Sequence, residues 1–110
     1  NVNSLAQCAA IAGLKDKEHL GASFSLNSEG KRFLYDRFKE MGLSYVPTEA
    51  NFVFVDLAAD CREVFTAMLK KGVIIRTGDI FGYPTFIRVT IGTVDQNERF
   101  IATLKEVLNK

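Results

Sequence analysis

The sequence predicts an α/β fold of the α+β kind: a two-layer sandwich in which a small mixed or antiparallel sheet of three to four strands packs against helices. Two observations carry that prediction. Short runs rich in Val, Ile and Phe, namely "FVFVD", "VIIR" and "FIRVTIG", are separated by longer runs whose apolar residues recur with helical spacing. Their order is α-α-β-α-β-β-α. A strand–helix–strand unit followed by a returning strand and a helix suggests a split βαβ layout, with the last strand between the other two and antiparallel to both. A third observation bounds the size. The 110 residues amount to about one domain, and no repeat, low-complexity tract or linker divides them.

Taken in order, Ser4 and Gln7 read as a capping box that opens the helix "SLAQCAAIAGL", ending near Gly13 to Lys15. Gln7 is its only polar side chain before Lys15, so the helix should be buried on most sides, and so small a domain offers little to bury it. A partner surface is expected. A second helical stretch follows from about Lys17 to Met41, ended by Gly42, with Leu34, Phe38 and Met41 on one face. Its middle, "SFSLNSEG", is made of poor helix formers, which favours a break there. "SYVPTEANFVFVDL" gives a short extended piece, a turn around Pro47 and a strand from Phe52 to Asp56. Asp60 and Glu63 cap a helix to Lys71 with Cys61, Val64, Ala67 and Met68 inward, and Gly72 stops it. "VIIR" predicts a strand over 73–76. The loop "TGDIFGYPT" leads to the strand "FIRVTIG", and Thr93 with Gln96 caps a last helix with Phe100, Leu104, Val107 and Leu108 inward.

Composition excludes several function classes. Fourteen basic and thirteen acidic residues leave a net charge of +1, which is no footprint for nucleic acid and no polybasic patch for a membrane. No signal peptide or membrane span is recognisable. Cys8 and Cys61 are far apart and show no CxxC spacing; Cys8 lies in an apolar run, where a thiol behaves as a small buried hydrophobe. A reduced, cytoplasmic protein is expected. The start at Asn1 rather than Met suggests a piece of something longer.

Little in the sequence carries chemistry. His19 reads as a solvated residue near the start of a helix, and no metal-ligand spacing occurs. "GDIFGYP" has two glycines but no phosphate-loop pattern. Asn51 reads as a turn cap, and Lys70 and Lys71 as the basic last turn of a helix. Two arginines stand apart. Ile87, Val89 and Ile91 share one face of their strand, so Phe86, Arg88 and Thr90 share the other. Arg88 on this central strand must pair with an acid such as Asp56 or Asp79, reach water, or hold an anion, for which its planar fork is suited. Arg76 ends the neighbouring strand, and both should lie near the loop 77–85.

"NVNSLAQCAAIAGLKD", "YVPTEANFVFVD", "GVIIR" and "IRVTIGTVDQNERF" together resemble the C-terminal part of histidinol-phosphate aminotransferases, pyridoxal-phosphate enzymes of the aspartate-aminotransferase fold type. The similarity runs from Asn1 to about Leu108, in order and at matching spacing. It implies that residues 1–110 form the small domain of a fold-type I enzyme, usually a homodimer, whose large cofactor-binding domain lies outside this chain. Such an enzyme moves an amino group between histidinol phosphate and glutamate/2-oxoglutarate in histidine biosynthesis. The resemblance assigns substrate binding to Arg88, which grips the anionic end, and to Arg76, which assists with phosphate or a second carboxylate. It assigns no catalytic, cofactor or metal residue here. The Schiff-base lysine, the aspartate on the pyridine nitrogen and the cofactor-phosphate cradle have no counterpart, and none of Lys15, Lys17 or Lys31 sits in such a motif. These 110 residues alone are therefore expected not to transaminate. Small domains of aromatic amino-acid aminotransferases and of a threonine-phosphate decarboxylase are similar. From another class, a stand-alone ACT-like module that binds amino acids for regulation, or a pure interaction domain, remains open.

Overall fold

A computed structural model describes residues 1–110 of the chain. Helices α1 (Ser4–Lys15) and α2 (Lys17–Glu40) lead into strands β1 (Ser44–Val46) and β2 (Phe52–Asp56). Helix α3 (Cys61–Lys70), strand β3 (Arg76–Thr77), a single 3₁₀ turn (Asp79–Phe81), strand β4 (Phe86–Thr90) and helix α4 (Val94–Leu108) follow. The sheet order is β1-β2-β4-β3, and every neighbouring pair is antiparallel. This is the two-layer arrangement the sequence predicts, with β4 between β2 and β3.

Alternation along the strands decides which face is covered. Val53 and Val55 of β2 and Ile87 and Val89 of β4 point into the core, where they meet Leu34 and Phe38 of α2, Met68 of α3 and Leu104 of α4. Each fully buried side chain of this kind contributes about 1.5–3 kcal/mol relative to exposure. Phe100 adds an edge-on contact to Phe38, with ring centroids 6.3 Å apart. Helices α2 and α3 both pack on α4, so one helical layer covers one face of the sheet. The other face, carrying Phe52, Phe54, Arg88 and Arg76, has no layer over it.

Four expectations need correction. Asn3, not Ser4, caps α1: its Oδ1 accepts the Ala6 N–H at 2.9 Å, while Gln7 Nε2 donates to the Val2 carbonyl. Helix α2 runs unbroken through "SFSLNSEG" because tertiary contacts outweigh weak propensity. Gly30 is buried there, and a Cβ on it would lie 2.5 Å from Ile91 Cγ2 and 2.8 Å from Asn97 Nδ2. Glycine lets helix and turn meet. Lys31 Nζ then donates to the Thr48 carbonyl, and the Tyr35 hydroxyl accepts the Thr48 N–H, which braces the loop before β2. Third, β3 is shorter than 73–76. Gly72 turns the chain at φ +77°, the Val73 N–H is still bonded to the Met68 carbonyl of α3, and pairing with β4 begins only at Arg76. Fourth, Cys8 is exposed and Cys61 is buried. Helix α1 has no buried residue: Leu5 and Leu14 are 82% and 72% exposed, so nothing within these 110 residues supplies the covering surface the helix calls for.

Candidate anion-binding site

Register places the two arginines side by side. Arg76 of β3 is the direct cross-strand partner of Arg88 of β4, and Phe54 of β2 faces Arg88 from the other side. Since Ile87 and Val89 point into the core, Arg88 points to the uncovered face. Its guanidinium carbon lies 5.0 Å from the centre of the Phe52 ring. That contact holds the side chain by attraction between cation and ring face, and it leaves the charge and the N–H donors free. A carboxylate partner would have neutralised both.

The acids that sequence reasoning offered as partners are engaged elsewhere. Asp56 Oδ1 accepts the Ala58 N–H at 3.0 Å. Asp79 pairs with Arg62 at 2.5 Å and accepts from the Cys61 thiol. Hydrogen bonding from the Thr77 side chain and from Arg62 lowers the Asp79 carboxyl to about 2. Neither Arg76 nor Arg88 takes part in an ion pair or a hydrogen bond of its side chain within the chain.

Beyond the Arg76–Arg88 pair, the ladder ends and the strands splay. Continuing the register would set Ile74 opposite Thr90, but the segment leaving α3 does not reach β4 there. The gap is a cleft of about 550 Å³. Residues Gly72 to Arg76 form one wall, Arg88 to Gly92 the other, and Gln96, Arg99 and Phe100 of α4 complete it. No aspartate or glutamate lines it. The loop 77–85 follows Arg76 directly but does not line this cleft. It closes the opposite end of the hairpin, where Tyr83 stands edge-on to Phe54 and Phe86.

Other sequence candidates stay apart from the cleft. His19 lies exposed in the first turn of α2, its ring 3.4 Å from Ser23 Oγ. Asn51 acts through its backbone carbonyl, which accepts the Ile91 N–H, rather than as a side-chain cap. Lys71 pairs with Glu106. No cluster of His, Cys, Asp or Glu has the makings of a metal site. Sequence reasoning missed Arg99, which follows no strand or turn signal and reaches the cleft only because α4 packs beside the end of α3. It also missed Phe52 as the support of Arg88, although both sit at outward positions of what read as strands.

Comparison with known proteins agrees with this architecture. The model of the family "Aminotransferase class I and II" matches residues 1–104. The chain is 65% identical over 108 residues to a histidinol-phosphate aminotransferase of Moorella thermoacetica, covering 98% of this chain and 28% of that protein. Among solved structures, the histidinol-phosphate aminotransferase of Clostridium acetobutylicum superposes on 99% of the chain with a TM-score of 0.88 at 26% identity, over 34% of its own length. That of Sinorhizobium meliloti, in complex with pyridoxal-5'-phosphate, covers 92% of the chain with a TM-score of 0.82 at 25% identity, over 28% of its length. The chain thus spans about three tenths of the length of the proteins it matches.

Proposed function

The chain belongs to the class I and II aminotransferase family, and from that premise we propose that it works as the small C-terminal domain of a transaminase acting on histidinol phosphate and glutamate/2-oxoglutarate, with Arg88 and Arg76 gripping the anionic end of the substrate. The observation that carries the reading is the pair of cross-strand guanidiniums, free of any acid, on an acid-free cleft. Two planar forks match the oxygens of a phosphate or carboxylate, and Phe52 holds one of them ready without neutralising it. Clamping the remote end of a substrate fixes the reacting end, so that binding energy is used for orientation.

The cofactor implied by the family is pyridoxal phosphate, and the residues here do not fit it on their own. The group needs a lysine amine to bond to, yet no lysine lines the cleft. Lys31 is held by Thr48 and Glu49, Lys71 by Glu106, and Lys110 by the Met41 carbonyl. We place the cofactor in a large domain outside these residues, in a cytoplasmic homodimer. The exposed apolar side chains of α1 and the uncovered sheet face are suited to a neighbouring domain. The neighbours named above are aminotransferases, which supports this reading over an ACT-like regulatory module.

The test is substrate discrimination in the full-length enzyme that contains this chain. Histidinol phosphate should be preferred to histidinol, and Arg88→Ala should cut kcat/KM for the phosphate ester more than tenfold, or about 1.4 kcal/mol, while barely changing that for histidinol. Equal losses on both substrates would contradict the anchoring role.

A further inference from the structure

The cleft holds a third arginine that the anchoring role does not use. Resting on that role, we propose that Arg99 is a specificity-determining residue, a third donor reaching the anion from the helical layer and making the cleft selective for a phosphate dianion over a carboxylate. Helix α4 lies on the covered side of the sheet, but the missing rungs between Ile74 and Thr90 let its Arg99 line the same cleft as Arg76 and Arg88. Arg99 Nη2 makes one long hydrogen bond, 3.3 Å to the Lys71 carbonyl, and pairs with no acid. Most of its donors stay free. That bond also sets it against the corner at Gly72, where a Cβ would stand 3.0 Å from Nη2, so the side chain is steered towards the cleft wall.

The cleft also offers backbone donors. The Ile91 N–H turns to the Asn51 carbonyl on the β2 side, so the Thr90 amide faces the β3 side, where the ladder has stopped. The amides of Ile74 and Ile75, on the opposite wall, make no hydrogen bond.

The chemistry then separates two anions. A carboxylate has two oxygens in one plane, which one fork satisfies. A phosphate monoester presents three oxygens in a pyramid and close to two charges, and needs donors from more than one direction. Arg88 and Arg76 border the cleft from the strands and Arg99 borders it from the helix, so the cleft has guanidinium donors on more than one side.

Inorganic phosphate and acetate are the probes, titrated at constant ionic strength against the complete native protein and its variants, with binding followed by calorimetry. Arg99→Ala should weaken phosphate at least fivefold and acetate less than twofold, and Arg99→Lys should restore only part of the loss, because a point charge lacks the fork. Arg88→Ala should weaken both anions. An unchanged phosphate-to-acetate ratio in Arg99→Ala overturns the proposal, and if Arg88→Ala still weakens both, the anchoring role stands without it. Should neither variant alter either anion, the anchoring role itself fails. A folding defect in Arg99→Ala is bypassed by the native protein: the Arg99 Nε–H resonance should move on saturation with phosphate and stay still with acetate, and a resonance that ignores phosphate contradicts the assignment.

Discussion

At the Gly78–Phe86 end of the β3–β4 hairpin, Arg62 meets Asp79, Cys61 donates to the same carboxylate, and the Gly78 and Tyr83 amides bond to the Phe86 and Gly78 carbonyls. At the Ile74–Thr90 end of the same hairpin, three arginines line a cleft without an acid among them, and the ladder's next rung is missing. One end is closed by partnered charge. The other is open because the ladder stops there, and the charge that lines it is unpartnered. The contrast teaches how to tell a saturated arginine from an available one in this fold: Arg62 and Arg88 differ in what they face rather than in type. An arginine beside a carboxylate has its donors filled, whereas one beside an aromatic ring is oriented and still able to bind.

Reversing the charge at the open end should have the largest effect. Arg88→Glu in the full-length enzyme is expected to lower kcat/KM for the phosphate substrate at least a hundredfold, about 2.7 kcal/mol, with little change in melting temperature. A loss of folding instead would mean that Arg88 is structural after all. Next comes the support beneath the open end. Gly30→Ala adds a Cβ against Ile91 and against Asn97, whose side chain bonds both backbone groups of Gly92. Crowding should outweigh the better helix propensity and cost about 1–3 kcal/mol, read from denaturant unfolding.

Smaller effects sharpen the comparison further. Phe52→Leu keeps every charge but removes the ring under Arg88, and should weaken phosphate binding a few-fold, about 0.5–1 kcal/mol. No change would show that the ring contact does not orient the guanidinium. At the closed end, the folded-state value of Asp79, about 2, lies below the ordinary 3.8. A depressed carboxyl stabilises the fold fully above its ordinary value, and this contribution disappears as the pH falls through the folded-state value. Asp79→Asn should therefore flatten the dependence of melting temperature on pH between about 5 and 2, and leave phosphate binding at neutral pH within twofold.

How far the sequence anticipates this follows from the range of the forces. Asp60 and the Thr93–Gln96 box mark helix starts because capping is decided within three residues. Alternation in "FIRVTIG" puts Arg88 on the face away from the core for an equally local reason. The unbroken course of α2 was not legible, since it depends on Gly30 meeting Ile91 and Asn97 more than sixty residues away. Nor was the cleft. Its opening comes from the Val73 amide staying with α3, and its third arginine from the packing of α4 beside Lys71, neither of which leaves a mark on local pattern. The length of the loop 77–85 is legible in the sequence, but its long-range pairing is not. Its aspartate is in fact bound to Arg62 across the fold.

The most direct measurement sets the two ends against each other in one assay: kcat/KM for histidinol phosphate and melting temperature, for Arg88→Ala and Arg62→Ala of the full-length enzyme. The expected result is a more than tenfold loss of kcat/KM with an unchanged melting temperature for Arg88→Ala, and a lowered melting temperature with kcat/KM within twofold for Arg62→Ala. The opposite pattern, or equal losses of kcat/KM in both, would contradict the assignment of the open end to the substrate's anion.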